Sequence, residues 1–435
     1  MSALDTRYNT EQTALMAAVE RRATDGPDWV QALRQRGMRI HAEHGIPTPR
    51  TEAWKYTPLR SVAERTWQAG EAGPAVFDFD LPQYTESAVR IVLVNGRFDR
   101  NLSDVPRLPG LTAMSLRDAW TEHPDLVREH LGQIARIEEH TMAALATALF
   151  QDGLFLHLKS QAVIESVIEI VHVTSGQDEV FAPRLLIVAE DGAIARIVET
   201  YITDGDTTAM TLPVSEVVIG SRANIEHVRV QDEATSNIHL ALWETRQAGS
   251  SEYRSYNVAF GAAIGRTDQG IDLQGEWCTT RLDGVVVGLG EQILDNHTRL
   301  DHALPNCNSF EIYKQVIGDR ATVVFNGQIY VHPHAQKTDA KQTNQAILLS
   351  PTATINSKPQ LEIFADDVKC THGATVGQLE DLPLFYMRQR GVPKALAQSL
   401  LVYAFAAEVL ELITMEEVRL RLEQRLFERL NPTNA

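Results

Sequence analysis

The amino-acid sequence predicts a mainly β chain whose β core is flanked by helical segments at both ends. Short β-rich runs such as RLLIVAE, SEVVIGS and TVVFNGQIYVH follow one another from about residue 153. No long helical pattern interrupts them for roughly 200 residues, which argues against an alternating α/β sheet. Residues 1–150 and 378–435 instead space their apolar residues as helices do.

The N-terminal 150 residues are predicted to form a mainly helical domain. One helix starts near Asp25 and Pro27 and ends at Gly45. A short strand, AVRIVLVNGRFD, carries an Asn-Gly pair typical of a tight turn. Trp54 and Tyr56, which flank Lys55, favour a local aromatic pack over a stacking platform for a ligand.

Residues 151–377 are predicted to form a repetitive β core. Four turns share the form apolar–apolar, a small or turn residue, then Ala-x-Ile/Val, with alanines at 193, 223, 321 and 353. The spacings of 30, 98 and 32 residues suggest a repeat of roughly 30 residues, as in a stacked solenoid. A β-sandwich is the alternative that this pattern leaves open.

The C-terminal segment, residues 378–435, is predicted to contain helices broken near residues 391–393. Thr414 and Glu417 have the spacing of a capping box. In the last helix, apolar residues every four positions from Val418 to Leu430 form one apolar face. That face either packs on the protein's own core or binds a partner.

Composition excludes several classes of function. The 435 residues carry a net charge of −17, which disfavours binding to nucleic acid or to anionic membrane surfaces. The sequence shows neither a signal peptide nor an 18-residue apolar run that could span a bilayer. Three cysteines cannot form a disulfide framework, so we expect a cytoplasmic protein with free thiols.

The stretch ADDVKCTHGATVG places Cys370 two residues before His372. On an extended strand their side chains share one face. Thiolate and imidazole suit iron, zinc or copper(I), but a stable site usually needs about four ligands. The missing ligands would come from elsewhere in the chain or from another subunit. Structural roles, and a cysteine–histidine nucleophile that lacks any evident orienting group, are the alternatives.

Other cysteines and histidines are weaker candidates. Cys278 and Cys307 are isolated in the sequence and favour structural or incidental roles. His332 and His334 also have i, i+2 spacing, but the proline between them indicates a strand end. We interpret both histidines as turn or packing residues.

Four segments carry a resemblance to a known family. They are RTEAWKYTPL (50–59), NHTRLDHALPNCNS (296–309), the stretch from GQIYVH to ATVG (327–377) and LFYMRQRGVP (384–393). Together they resemble the SufB/SufD family of iron–sulfur cluster assembly proteins, and its SufD branch in particular. Met387 stands where SufB-type chains have a cysteine, and no cysteine precedes Cys278.

The resemblance implies a right-handed parallel β-helix between helical N- and C-terminal domains. It implies a non-enzymatic scaffold subunit that pairs with a SufB-like paralogue and binds the ATPase SufC through its C-terminal helices. His372 would be an interfacial ligand with Cys370 as its helper. The chain alone would hold no stable cofactor, only transient iron or a nascent iron–sulfur cluster at the partner interface. The isolated chain could pair with a second copy through the β-helix edge.

Two alternatives remain. The chain could be a purely structural adaptor without metal contact. It could instead be a β-helix carbohydrate-active enzyme, which needs paired acidic residues on one face. Asp366 and Asp367 are adjacent, so on a strand they would point to opposite faces. No Gly-Lys dipeptide occurs, so any ATP hydrolysis would belong to a partner.

Overall fold

Most strands of the protein belong to two sheets that wind around a common interior. The computed structural model describes residues 13–22, 24–70, 80–86, 88–205 and 207–431. The strands are β1 (Gln68–Ala69), β2 (Val89–Val94), β3 (Arg97–Phe98), β4 (Leu111–Ser115), β5 (Gly153–Leu158), β6 (Ile168–Thr174), β7 (Gln177–Phe181), β8 (Arg184–Ala189), β9 (Ile194–Thr203), β10 (Thr208–Thr211), β11 (Val214–Ile219), β12 (Asn224–Gln231), β13 (Ile238–Gln247), β14 (Glu252–Ala259), β15 (Ile264–Leu273), β16 (Thr279–Gly288), β17 (Ile293–His302), β18 (Asn308–Ile317), β19 (Thr322–Val331), β20 (Asp339–Leu348), β21 (Thr354–Ile363) and β22 (Lys369–Gly377).

Helices precede and follow these strands in the chain. The α-helices of the described residues are α1 (Thr13–Arg22), α2 (Asp28–His44), α3 (Arg60–Ala63), α4 (Leu116–Glu122), α5 (Pro124–His130), α6 (Thr141–Leu149), α7 (Asp381–Gln389), α8 (Lys394–Leu410) and α9 (Glu416–Leu430). A single 3-10 turn spans Glu52–Trp54. None of the helices in the described ranges is both long and apolar enough to cross a membrane.

Alternate strands of the core lie in different sheets, which identifies a solenoid. The first sheet runs β21-β19-β17-β15-β13-β11-β8-β5-β4, and the second runs β22-β20-β18-β16-β14-β12-β9-β6-β2-β3. Neighbours from β5 and β6 onward pair in parallel, as β16 does with β18. The predicted solenoid is confirmed and the β-sandwich alternative is wrong, because each coil places one strand in each sheet.

The four alanines of the turn pattern are buried at the corners of the coils. Ala193 and Ala223 precede β9 and β12 of the second sheet, whereas Ala321 and Ala353 precede β19 and β21 of the first. The four alanines therefore come from two different corners of the coil. This explains why the spacing of 98 residues between Ala223 and Ala321 is not a whole number of coils. At these four positions a small side chain packs where the chain turns against the apolar interior.

The N-terminal helices cover the outer face of the first sheet. Helix α6 is buried between α2 and strands β11 and β13. Close packing of α2 on α6 requires Gly37, because an added Cβ would lie 2.5 Å from the carbonyl oxygen of Ala144. Strands β2 and β4 pair with β6 and β5, so both sheets extend into the first 150 residues.

The C-terminal helices α8 and α9 pack on the outer face of the second sheet. Val418, Leu422 and Leu426 of α9 lie in one buried cluster with valines of β12, β14 and β16. Of the two interpretations of this apolar face, packing on the protein's own core is therefore the one observed.

The predicted capping box at the start of α9 does not form. Both the amide and the hydroxyl of Thr414 donate hydrogen bonds to the carboxylate of Glu226 on β12. The residue at the N-cap is Met415, which makes no side-chain cap. A buried carboxylate on the sheet competes successfully for Thr414, because an unpaired charge at this position would be costly.

Candidate functional site

The sequence-predicted ligands lie on the last strand of the solenoid. Strand β22 pairs with β20 on one side and ends the second sheet, so no further coil covers it among the described residues. Cys370 is in register with Ala340, and His372 with Gln342. The prediction that the motif is extended, with both side chains on one face, is confirmed.

Exposure differs between the two candidate ligands. His372 is exposed, whereas Cys370 is half-buried against the apolar interior. Burial raises the pKa of the Cys370 thiol above its usual range. The thiol is therefore protonated at neutral pH, and a metal ion would have to displace the proton to bind sulfur.

The described residues contain no group of three or more histidine, cysteine, aspartate or glutamate side chains arranged to hold a metal ion. Cys370 and His372 thus lie at an open end of the core and offer two donors. Two donors at an uncovered edge fall short of the four that a closed site uses.

A column of polar side chains lies beneath His372. Gln342 and Glu311 occupy the same register position in the two preceding coils, and both are buried. Glu311 accepts hydrogen bonds from Gln342 Nε2 at 2.7 Å and from Thr298 Oγ1 at 2.5 Å. Loss of hydration on burial raises the pKa of Glu311 to about 7.

Sequence reasoning missed Glu311 and Gln342. Gln342 lies one coil length before His372 in the chain, and Glu311 lies two coil lengths before it. Because coil lengths vary, the sequence alone does not fix which residues stack. Alignment of the turns at each coil corner is the signal that could have found them.

The remaining candidates lie away from β22. His332 Nε2 donates to the carboxylate of Asp301 at 2.7 Å, as expected of a packing residue just beyond β19. Met387 lies half-buried on α7. Cys278 and Cys307, isolated in the sequence, are neighbours in space, because each lies one residue before paired strands β16 and β18.

Residues 50–59, one of the four segments that carry the family resemblance, lie on the outer face of the first sheet. The guanidinium of Arg266 lies 3.9 Å from the ring centroid of buried Trp54 and donates to Asp295 at 2.9 Å. Thr57 Oγ1 donates to the same carboxylate at 2.5 Å. These contacts hold residues 50–59, the Trp54 segment, against β15 and β17. Trp54 is therefore a packing residue, whereas Tyr56 is exposed and does not join it in the predicted aromatic pack.

Comparisons with known proteins agree with this architecture. The family model described as "SUF system FeS cluster assembly, SufBD core domain" matches residues 172–405, and "SufBD protein N-terminal region" matches residues 14–170. Iron-sulfur cluster assembly protein SufD of Escherichia coli is 32% identical over 89% of this chain and 90% of its own length. An iron-sulfur cluster assembly SufBD family protein of Synechocystis is 31% identical over 87% of this chain and 86% of its length, and SufD of Bacillus subtilis is 26% identical over 96% and 98%. The chain belongs to the SufBD family of iron–sulfur cluster assembly proteins.

Proposed function

We propose that this chain is a non-enzymatic scaffold subunit of a SufBCD-type complex that assembles iron–sulfur clusters. One observation carries the proposal most directly. His372, with Cys370 beside it, lies on the uncovered last strand of the solenoid, where a second chain can add the missing ligands. A shared site at an interface accounts for a pair of donors that is incomplete alone.

The uncovered end also suits a SufB-like paralogue. The outer edges of β21 and β22 have unused backbone donors and acceptors, and such edges pair readily with another chain. Ile363, Phe364 and Val376 are exposed at this end. A second solenoid that continued both sheets would cover these apolar side chains. The same edge would allow the isolated chain to form a homodimer.

A SufC-like ATPase would dock on the C-terminal domain, with α7 as part of its binding surface. The apolar faces of α8 and α9 are already buried on the second sheet. In contrast, α7 has no buried residue, and Leu382, Phe385 and Tyr386 are each more than half exposed. Exposed aromatic residues of this kind are enriched where protein partners bind.

In the proposed assembly, iron and sulfide are cargo and not a resident cofactor. The imidazole of His372 would donate a nitrogen lone pair to iron or to a nascent cluster. Cys370 would add a thiolate once its proton is lost, while the partner supplies the other ligands.

The test is cluster formation on the reconstituted three-component complex, with His372→Ala compared with wild type. His334→Ala is the matched control, because His334 is an exposed histidine in a turn of the preceding coil. We expect His372→Ala to lower the cluster yield severalfold while native mass measurement shows an intact complex. Unchanged yield in an intact complex would reject the ligand role.

A purely structural adaptor is the second candidate, and the small number of donors at the site favours it. In that case the chain would support the paralogue and recruit the ATPase without touching metal. Iron bound by the complex would then survive the double substitution Cys370→Ser and His372→Ala at wild-type stoichiometry.

A further inference from the structure

Cys278 and Cys307 occupy equivalent corners of two successive coils. Each directly precedes a strand, and the first residues of those strands, Thr279 and Asn308, are register partners. The amide of Asn308 donates to the carbonyl of Cys278 at 2.8 Å. The residue before each cysteine, Trp277 or Asn306, has the same φ of 64°. The two turns therefore present their cysteines in matching orientations.

The two thiols share their surroundings. Both Sγ atoms lie 3.2 Å from the same atom, the carbonyl oxygen of Gly275. Both side chains are buried against the solenoid interior. The neighbouring thiol of Cys307 lowers the pKa of Cys278 below its usual range, whereas the pKa of Cys307 is raised, so Cys278 loses its proton more readily than Cys307.

Small polar residues occupy this corner in the adjacent coils as well. Ser251 precedes β14 and Thr338 precedes β20, and both donate to carbonyl oxygens of their own turns. The corner itself therefore accepts a hydroxyl as readily as a thiol. Packing alone does not explain two stacked cysteines, and serine is the natural control substitution at both positions.

The geometry points to a reversible disulfide between Cys278 and Cys307, formed when a small peroxide removes two electrons from the thiol pair. Neighbouring strands lie about 4.8 Å apart, which is within the Cα separation that disulfides span. The preceding turn is at the surface, where Trp277 is 61% exposed. Hydrogen peroxide, which is small, therefore reaches the buried thiols by crossing only this surface turn.

The chemistry balances without any group beyond the two thiols and the peroxide. The thiolate of Cys278 attacks one peroxide oxygen, the O–O bond breaks, and the departing hydroxide takes a proton to become water. Sulfur of Cys307 then attacks the resulting sulfenic acid, forms the S–S bond and releases a second water as its own proton is lost. Two thiols and one hydrogen peroxide give one disulfide and two waters.

The experiment uses the purified full-length chain in native buffer with hydrogen peroxide, followed by alkylation and peptide mass mapping. We expect a single cross-link between the peptides of Cys278 and Cys307, with loss of two hydrogens and reversal by dithiothreitol. The melting temperature should rise on oxidation, because the bond closes a loop of 29 residues in the unfolded chain.

Three variants make the test specific. Cys370→Ser should keep the cross-link at wild-type yield, since Cys370 lies two coils away on β22. Cys278→Ser and Cys307→Ser should both lose the cross-link. In Cys307→Ser, the remaining Cys278 should be trapped as sulfenic acid by dimedone. A wild-type chain that oxidises Cys370 while Cys278 and Cys307 stay reduced would overturn the proposal. So would a folded wild-type or Cys370→Ser chain without the cross-link, whatever the stability of the other variants.

Discussion

Gln342, one coil below His372, donates a 2.7 Å hydrogen bond to the buried carboxyl of Glu311, which lies two coils below His372. The exposed candidate ligand therefore lies above an ionisable group that solvent does not reach. The amide of Gln342 therefore connects the carboxyl of Glu311 to the coil on which β22 stacks.

Glu311→Gln should flatten the pH dependence of stability. The raised pKa of about 7 means that the folded chain holds this proton over the range between about 4.5 and 7, where the unfolded chain releases it. The contribution of Glu311 to stability is thus lost as pH rises through that window.

Urea unfolding at pH 5 and pH 8 measures this effect. Between pH 5 and pH 8, the free energy of unfolding of wild type should fall by on the order of 1–3 kcal/mol more than that of Glu311→Gln. The variant should be the more stable protein at pH 8. If the free energy of unfolding changed with pH equally in the two proteins, burial would not shift the pKa of Glu311.

Trp54→Ala should destabilise the chain strongly. The ring is buried and stacks on the guanidinium of Arg266, so truncation leaves a large cavity and an uncovered cation. We expect a loss of about 3–5 kcal/mol in the free energy of unfolding. Tyr56→Ala is the control, since its exposed ring should cost less than about 0.5 kcal/mol. Equal losses in the two variants would contradict the packing role.

Thr414→Val should loosen the C-terminal helices from the second sheet. The substitution removes one of two hydrogen bonds to Glu226, which is buried and needs both. We expect a loss of roughly 1–3 kcal/mol and faster amide exchange in α9. Glu417→Ala is the control, because it removes the other member of the capping box that does not form. It should change the free energy of unfolding and the amide exchange of α9 no more than a surface substitution does. The reverse ranking would restore the capping box.

Phe385→Ala and Tyr386→Ala should weaken binding of the ATPase without affecting the fold. Both rings are exposed on α7, so their loss removes contact area available only to a partner. Co-purification with the ATPase should fall, while the melting temperature of the isolated chain stays within about 2 °C of wild type. Leu420→Ala, at an exposed position on α9, is the control. Undiminished binding by the double variant would place the docking surface elsewhere.

The coil-forming part of the fold follows from local sequence. Short β-rich runs and recurring alanines such as Ala193 and Ala321 predict a solenoid, because small residues recur where stacked coils turn. The strand assignment of Cys370 and His372 is local as well. Sequence reasoning could not reach the relationships between coils, because strands that pair are separated by 28 residues in one place and 32 in another.

That variation hid the stacking of Glu311 beneath His372 and the contact between Cys278 and Cys307. The same limit applies to Thr414, whose neighbours in sequence favoured a local cap. Its actual acceptor, Glu226, lies 188 residues away and is supplied by the sheet. Thr414 bonds to Glu226 and does not form the local cap, because a buried carboxylate without hydrogen-bond donors would cost more free energy than an uncapped helix end.

The in-register stacking of coils has a further consequence for the reach of the molecule. Each coil advances the chain by one interstrand spacing, about 4.8 Å. The height of His372 above the Trp54 segment is therefore set in whole steps by the number of intervening coils. Gain or loss of one coil would shift the exposed end by one such step along the solenoid axis.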